Sequence, residues 1–596
     1  MNFGRTMSTV TIQRPPPGGK EEDSPRRGRA PRAKSSSGSM YQRFLFLTLL
    51  IVLVALIAPP TWTLLRTSFI DPITGEFGFD KYGAIVPSML NSGLLLNTAV
   101  FAVGSTAFAF IFGSLLAWLS ERTNAPFRRL MYITAFISFA FPGVVQAMGW
   151  VLLLGPRAGV INVLLIDWLG LPLPRFDVNT MYGMVLVEGL SWGPVVFLLM
   201  VVPFRAMDAT LEEAARVAGA TNWQVMRRVT LRLAAPAGLA VLLISIVRNL
   251  ESFEVPAMLG LPGGVRVLTT QIFVRLKGSN VPDYGEVSAY SMVLVVLVIP
   301  LLWAYHRATR GQGKYATITG KGMRPSRLDL GKGRWLAGVV MLSLPVLTFA
   351  PILILMWTSL LPYYEKPSLD ALSKISLENY RFAFVDNTFV TQGVINSLVV
   401  GVVAATLVVV LTGLAAWVVS RSQVRGRMIL DVLSIVPLAI PGIVLAVGML
   451  RGYVGSPLPV YGTMAIIIMA YVIRFVPYTM RFTHAGLLSV SRELEESASV
   501  AGAGLGGVMR RVLLPLMLPA LFTGWVYAFL LSARELPVAI LLQSSGNQLL
   551  SAVIWALWEN GQITVAAAIS VAFAIALTVL GVTLHVGSEK YGVGPQ

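Results

Sequence analysis

Four charged residues stand within or beside stretches that are otherwise apolar: Glu188, Glu254, Arg474 and Glu535. A charge at the centre of a membrane span costs at least about 2.5 kcal/mol unless it is paired or faces water. Such residues suit the guidance of a charged solute past an apolar barrier. Glu254 and Glu535 each stand two residues before a proline, in Glu254-Val255-Pro256 and Glu535-Leu536-Pro537. Proline breaks a helix, and broken backbone at membrane depth is tolerated where it lines a cavity or is buried in protein. The two carboxylates are therefore expected to line the outer part of a path and to favour a cation. Arg248 and Arg534 lie close enough in sequence to neutralise them, or to favour an anionic chelate instead.

Other chemistries are poorly provided for. There are no cysteines, which excludes disulfides and thiolate metal sites, and His306, His484 and His585 are too far apart for a local ligand motif. No metal site is expected. No Gly-x-x-x-x-Gly-Lys-Ser/Thr occurs, the nearest string being Thr319-Gly320-Lys321-Gly322. If ATP drives this protein, another chain binds it. No grouping of nucleophile, acid and base suggests an enzyme.

A polar loop supplies the second constellation. Leu211-Glu-Glu-Ala-Ala-Arg-Val-Ala-Gly219-Ala220 returns as Leu494-Glu-Glu-Ser-Ala-Ser-Val-Ala-Gly502-Ala503, 283 positions later. Each copy is followed by a basic pair, Arg227-Arg228 and Arg510-Arg511, and by a proline in the next apolar run, Pro236 and Pro519. Leu211, Ala214, Ala215 and Ala218 recur at spacings of three and four, which predicts a short helix with a small-residue face that another protein could approach closely. Gly219 then allows a turn that a residue with a Cβ would resist.

The elements that must position these residues are membrane spans. The chain has 596 residues, 55% hydrophobic and 13% charged, against about a quarter charged in soluble domains. Twelve apolar stretches have approximate cores at 44–65, 94–119, 130–154, 181–204, 233–250, 287–305, 336–360, 394–419, 429–449, 461–482, 513–531 and 563–584. The duplication runs through them. Asn97 matches Asn396, Ala117-Trp118 matches Ala416-Trp417, Arg122 matches Arg421, and Phe141-Pro142-Gly143 matches Ile440-Pro441-Gly442, all at an offset of 299. Tyr182-Gly183 then matches Tyr461-Gly462 at 279, so the first half carries about 20 extra residues near 155–178, expected outside. The offset of 283 seen in the loops sets Glu188 against Tyr471, one helical turn from Arg474, which predicts that Glu188 and Arg474 form a state-dependent ion pair or line a water cavity.

The chain thus divides into a disordered basic tail at 1–40, a first half at 41–305, a flexible basic Gly-rich linker at 306–335 and a second half at 336–590. The formal charge is +18, of which residues 1–43 and 306–335 carry +13 together. Both segments flank spans, which predicts a cytoplasmic position for them and for both termini, beside anionic lipid headgroups. Neither interleaves aromatic residues with its charges, so nucleic acid is not an expected partner.

The repeated loops resemble those of the permease subunits of binding-protein-dependent ABC importers, whose pattern is Glu-Ala-Ala, three residues, Gly, nine residues, then Ile-x-Leu-Pro. Glu213-Ala214-Ala215 and Gly219 fit it, as do Glu496-Ser497-Ala498, Gly502 and Val512-Leu513-Leu514-Pro515 with two departures, Ser497 and Val512. The first copy ends Val229-Thr230-Leu231-Arg232, without the proline. The resemblance covers nearly all of the chain after residue 40. It implies an all-α polytopic protein of the bacterial inner membrane, with about twelve transmembrane helices in two homologous six-helix halves, of the type I importer permease fold. It also implies coupling helices seated in two copies of an ABC ATPase, built here from Glu212, Glu213, Ala214, Ala215 and Gly219 and from Glu495, Glu496, Ala498 and Gly502. ATP and Mg would be bound by that ATPase and no cofactor by this chain. A periplasmic binding protein would deliver the substrate, and alternating access would pass it inward. Pro256-Ala257-Met258-Leu259-Gly260 and Leu268-Thr269-Thr270-Gln271-Ile272 look most like the ferric-iron subgroup, with thiamine, polyamine and phosphonate importers as near relatives. Twelve spans in parallel repeats also describe secondary carriers, but such a carrier has no use for two matching docking loops.

Overall fold

The computed structural model describes residues 36–70, 75–278, 281–309 and 327–590. Most of the expected tail and the middle of the expected linker, residues 310–326, lie outside the described residues. Residues 36–40 already belong to the first helix, Ser36–Phe69, which continues through Pro59 and Pro60. Among the described residues the chain is helical, without a sheet, and two isolated bridges pair Ile70 with Phe77 and Thr123 with Leu328.

Among the described residues ten helices are long and apolar enough to cross a membrane, and the number reaches twelve if two bent pairs are each counted as one span. These pairs are the expected third and ninth spans, and each is bent. Arg128–Ala140 meets Gly143–Leu154 at 106°, and Met428–Ala439 meets Gly442–Tyr453 at 102°. The cause is local. Pro142 and Pro441 lack an N–H to continue the helix and push the preceding residue toward extended backbone, where Phe141 (ψ 128°) and Ile440 (ψ 103°) are found.

The halves are built alike and exchange their first helices. In each half the second span lies along the fourth, Leu94–Arg122 on Met181–Ala206 and Thr388–Arg421 on Met464–Leu488. Ser36–Phe69 crosses to pack on Gly442–Tyr453 of the second half, and Gly333–Ser359 packs on Gly143–Leu154 of the first. The crossing is close enough to demand glycine: a Cβ on Gly149 would lie 2.4 Å from the carbonyl oxygen of Pro351, and one on Gly448 2.7 Å from that of Pro60. Prolines inside these helices and glycines facing them recur in both halves, so the crossing belongs to the repeated unit.

After the fifth span of each half the helix stops, at Leu250 and at Arg534, and resumes at Glu254 in the first half and at Pro537 in the second. Freed backbone groups need partners. Thr269 Oγ1 donates to the Ser252 carbonyl at 2.8 Å, and Ser551 Oγ to the Glu535 carbonyl at 2.9 Å. These hydroxyls sit at the starts of two short helices, Leu268–Lys277 and Leu550–Glu559. Those starts are held in turn by hydroxyls of the second spans, with Leu268 N donating to Thr98 Oγ1 (3.0 Å) and Leu550 N to Ser397 Oγ (2.7 Å).

The linker is not free along its whole length. Leu328 N donates to the Arg122 carbonyl at 2.9 Å and Asn124 N to the Leu328 carbonyl at 3.1 Å. Asn124 Nδ2 also reaches Asp329 Oδ1 at 2.5 Å, while Leu330 N donates to Asn124 Oδ1 at 3.1 Å. The last part of the expected flexible linker is thus pinned to the loop that ends span two.

Candidate docking helices and a buried charge cluster

The first repeated loop folds as the helix Ala209–Val217. Asp208 begins it by accepting a hydrogen bond from Thr210 N at 2.9 Å, and that bond holds its carboxyl below the usual carboxylate range. Gly219 ends it with φ at +84°, and the second copy, Arg492–Val500, ends at Gly502 with φ at +87°. Both turns carry the same pair of closing bonds: Gly219 N to Arg216 O with Ala220 N to Ala215 O, and Gly502 N to Ser499 O with Ala503 N to Ala498 O.

Each helix is fixed to the end of span two by an arginine. Arg122 Nη2 lies 2.5 Å from Glu212 Oε2, with both side chains buried, and Thr230 Oγ1 donates to the other carboxylate oxygen at 2.6 Å. Arg421 Nε lies 2.7 Å from Glu495 Oε1 and its Nη2 donates to the carbonyls of Leu487 and Val490. Glu212, expected among the residues offered to a partner, is therefore turned inward. Its helix presents one face to the protein, and a carboxylate on that face finds a buried guanidinium. Glu495 is half-buried and likewise engaged. Glu213, Ala214, Gly219, Glu496 and Gly502 are exposed, and Ala215 and Ala498 are half-buried. The most exposed apolar residues of the two helices are Val217 and Val500, each 89% exposed, beside Leu211 and Leu494. The sequence showed Arg122 and Arg421 as a repeated pair without indicating what they hold.

The two loops differ in their surroundings. In the first half Glu121 accepts from Tyr132 and pairs with Arg128 (3.0 Å) and Arg205 (3.3 Å). Ser420 occupies the matching place in the second half, where its carbonyl accepts from Arg492 at 3.1 Å.

The intramembrane charges gather where the bent pairs meet the breaks after the fifth spans. Arg474 Nε lies 3.1 Å from Glu535 Oε2, and its Nη2 lies 3.9 Å from Glu251 Oε2. The expected pair between Glu188 and Arg474 is not formed. Repeat alignment gives position along a helix but not which way a side chain turns, and Arg474 turns toward the break of its own half and toward Glu251. Glu251 is joined to Arg474 across the two halves, a contact that the repeat does not indicate.

Glu188, 5% exposed, instead lines a cavity with Glu254, Arg248 and Arg534. Arg534 comes from the second half: its Nη1 donates to the Phe139 carbonyl at 2.5 Å, next to the bend of the first half, and its guanidinium lies 5.3 Å from the centre of the Phe139 ring. Arg248 lies 5.5 Å from the Trp192 ring centre. Glu254 and Glu535 thus stand in two adjoining groups, the first around an open space and the second closed by Arg474. Among the described residues no three His, Cys, Asp or Glu side chains are placed to hold a metal ion.

A duplicated helical membrane protein with bent spans, crossed first helices and twin polar loops is a membrane transport permease in which two subunits are fused. The chain belongs to the family of binding-protein-dependent transport system inner membrane components, whose model matches residues 109–311 and again 409–587. It is 25% identical over 549 residues to the ferric transport system permease protein FbpB of Actinobacillus pleuropneumoniae, covering 90% of this chain and 77% of that one. Over 207 residues it is 27% identical to the spermidine/putrescine transport system permease protein PotC of Haemophilus influenzae, covering 34% of this chain and 79% of that one. Among solved structures, a bacterial ABC transporter that imports alginate aligns with 46% of this chain and 97% of its own at 23% identity, with a TM-score of 0.39. The chain is a multi-pass inner-membrane protein, and its relatives are transport permeases.

Proposed function

We propose that this permease passes ferric iron, free or chelated, from a periplasmic binding protein to the cytoplasm by alternating access, driven by two copies of a separate ABC ATPase. The observation that carries the ATP-driven reading is the pair of docking helices, each presenting an exposed valine and glutamate and each tied to span two by an arginine. Two such surfaces on one chain suit an ATPase dimer, which offers two grooves. ATP and Mg are bound there, and hydrolysis belongs to that partner. Both termini and the loops lie in the cytoplasm, as the basic segments at 1–43 and 306–335 favour.

The path runs between the halves past Glu188, Glu254, Arg474 and Glu535. Arg474 closes on Glu535 and Glu251 in the conformation described, so opening the path must break or re-pair these contacts. The ATPase shifts the population of the two conformations by docking differently to each. Iron as cargo is supported by the ferric relative that matches most of the chain and by the oxygen donors on the path, which suit a hard cation. Polyamine, thiamine or phosphonate cargoes are the second reading, the first of these supported by the spermidine/putrescine relative.

The test is reconstitution of the permease with its ATPase in proteoliposomes. Uptake of radiolabelled iron that requires both ATP and iron-loaded binding protein is the expected result. Uptake that follows a proton or sodium gradient and ignores ATP would overturn the importer reading, and ATP-driven uptake of spermidine alone would overturn iron.

A further inference from the structure

The cavity beside the first bend has an unusual charge pattern. Glu188 and Glu254 line it from the first half, with Arg248 from the first half and Arg534 from the second, so two carboxylates and two guanidiniums balance. Among the described residues none of the four makes an ion pair within 4.0 Å. The two arginines are instead held off the acids, Arg248 over Trp192 and Arg534 on the Phe139 carbonyl and ring. Ser191 and Gln146 complete the wall, and Ser191 Oγ is buried without a hydrogen-bond partner. Nearby, by contrast, Arg474 and Glu535 close on one another at 3.1 Å.

Opposite charges that face a common space without touching are costly when dry, because each loses its hydration and gains little Coulomb energy in return. They are poised for something that carries both signs. A polycation would meet Arg248 and Arg534 as repulsive neighbours, and a bare anion would meet Glu188 and Glu254 so. We propose that this cavity, with room here for only about 30 Å³, widens as the halves move into a transit site for a cargo bearing both charges, its cationic part toward Glu188 and Glu254 and its oxyanionic part toward Arg248 and Arg534. A metal ion that keeps an oxyanion ligand has this chemistry, and so does a zwitterionic aminoalkylphosphonate. The proposal rests on the importer reading and sharpens its substrate class. Because Arg534 comes from the opposite half and grips the bend, any movement of the halves takes one oxyanion contact away from the other three residues. Release is built into the site, as a conducting path requires.

Equilibrium retention by the permease–ATPase complex in nanodiscs tests this, with four radiolabelled probes: ferric citrate, 2-aminoethylphosphonate, spermidine and citrate alone. One of the first two is expected to be retained, and which one names the source of the two charges. Glu188→Gln and Arg248→Gln should each weaken that retention at least tenfold, with Arg248→Lys recovering part of it, in complexes that elute as a single species. The proposal is overturned if spermidine or free citrate is retained as well as the both-sign probe, if none of the four is retained, or if the glutamine variants bind like wild type. Binding-protein-dependent uptake in vesicles is measured in parallel. Uptake that persists without retention removes the cavity and leaves the importer reading standing, whereas absence of ATP-driven uptake for every probe removes the importer reading itself.

Discussion

Arg122 reaches from the last residue of span two to Glu212 on the docking helix, 2.5 Å apart and both buried. The contact ties a membrane helix directly to the surface on which a cytoplasmic engine would pull. Removing one partner from a buried pair strands the other charge, at a cost of about 3–5 kcal/mol. Arg122→Ala and Glu212→Ala should each lower thermal stability and uncouple ATP hydrolysis from uptake. The equivalent pair, Arg421 and Glu495, is more open to solvent, so its variants should be milder. Equal effects in the two halves, read by unfolding in detergent and by coupled uptake, would contradict this ordering.

The outward residues of the same helices give a different outcome. Glu213→Arg and Glu496→Arg change exposed side chains and should leave insertion and stability within about 0.5 kcal/mol of wild type, while lowering ATPase co-purification. Gly219→Ala and Gly502→Ala force a Cβ into the left-handed region at about 1–2 kcal/mol and should fray the turn without removing the helix. Normal co-purification in all four variants would show that these helices do not dock.

Arg474 offers a cleaner pairing test, since Glu535 and Glu251 both lean on it. Arg474→Gln should impair uptake strongly, and Arg474→Gln combined with Glu535→Gln should recover part of that loss by removing a stranded carboxylate. A charge reversal at Glu188 paired with one at Arg474 should recover nothing, because those two side chains do not meet. Uptake in vesicles at a fixed amount of loaded binding protein distinguishes these outcomes.

The crossing of the first helices predicts a packing defect. Gly149→Ala sets a methyl 2.4 Å from a backbone oxygen of Pro351, and Gly448→Ala sets one 2.7 Å from Pro60. Backbone cannot yield as a flexible side chain can, so each should cost about 1–3 kcal/mol. Gly83→Ala, with open space around it, is the control, and a melting temperature for Gly149→Ala equal to that of the control would show that the crossing is loose.

Much of this arrangement was legible because it is written twice. The loops at Gly219 and Gly502, the Pro-Gly steps at 142 and 441, and the breaks at Pro256 and Pro537 announce themselves by recurrence, and recurrence also set the register of the halves. The bends were missed because hydropathy averages over a window and is blind to a right-angle turn within it. The inward turn of Glu212 and the partner of Arg474 depend on which face of a helix meets which neighbour. That is settled by packing between segments far apart in the chain. Arg534 shows the limit best: it belongs to the second half and completes a cavity of the first.

The bonds that Asn124 makes with Leu328, Asp329 and Leu330 join the halves without using the stretch between 310 and 326. A gene divided anywhere in that stretch would encode two polypeptides, and the second would carry its own recognition tab for the first. The covalent connection then guarantees one-to-one stoichiometry and a fixed choice of partner, while the fit between the halves is already secured by contact. Co-expressed fragments should assemble as a heterodimer, and changing Asn124 or Asp329 should matter far more to the divided protein than to the fused one.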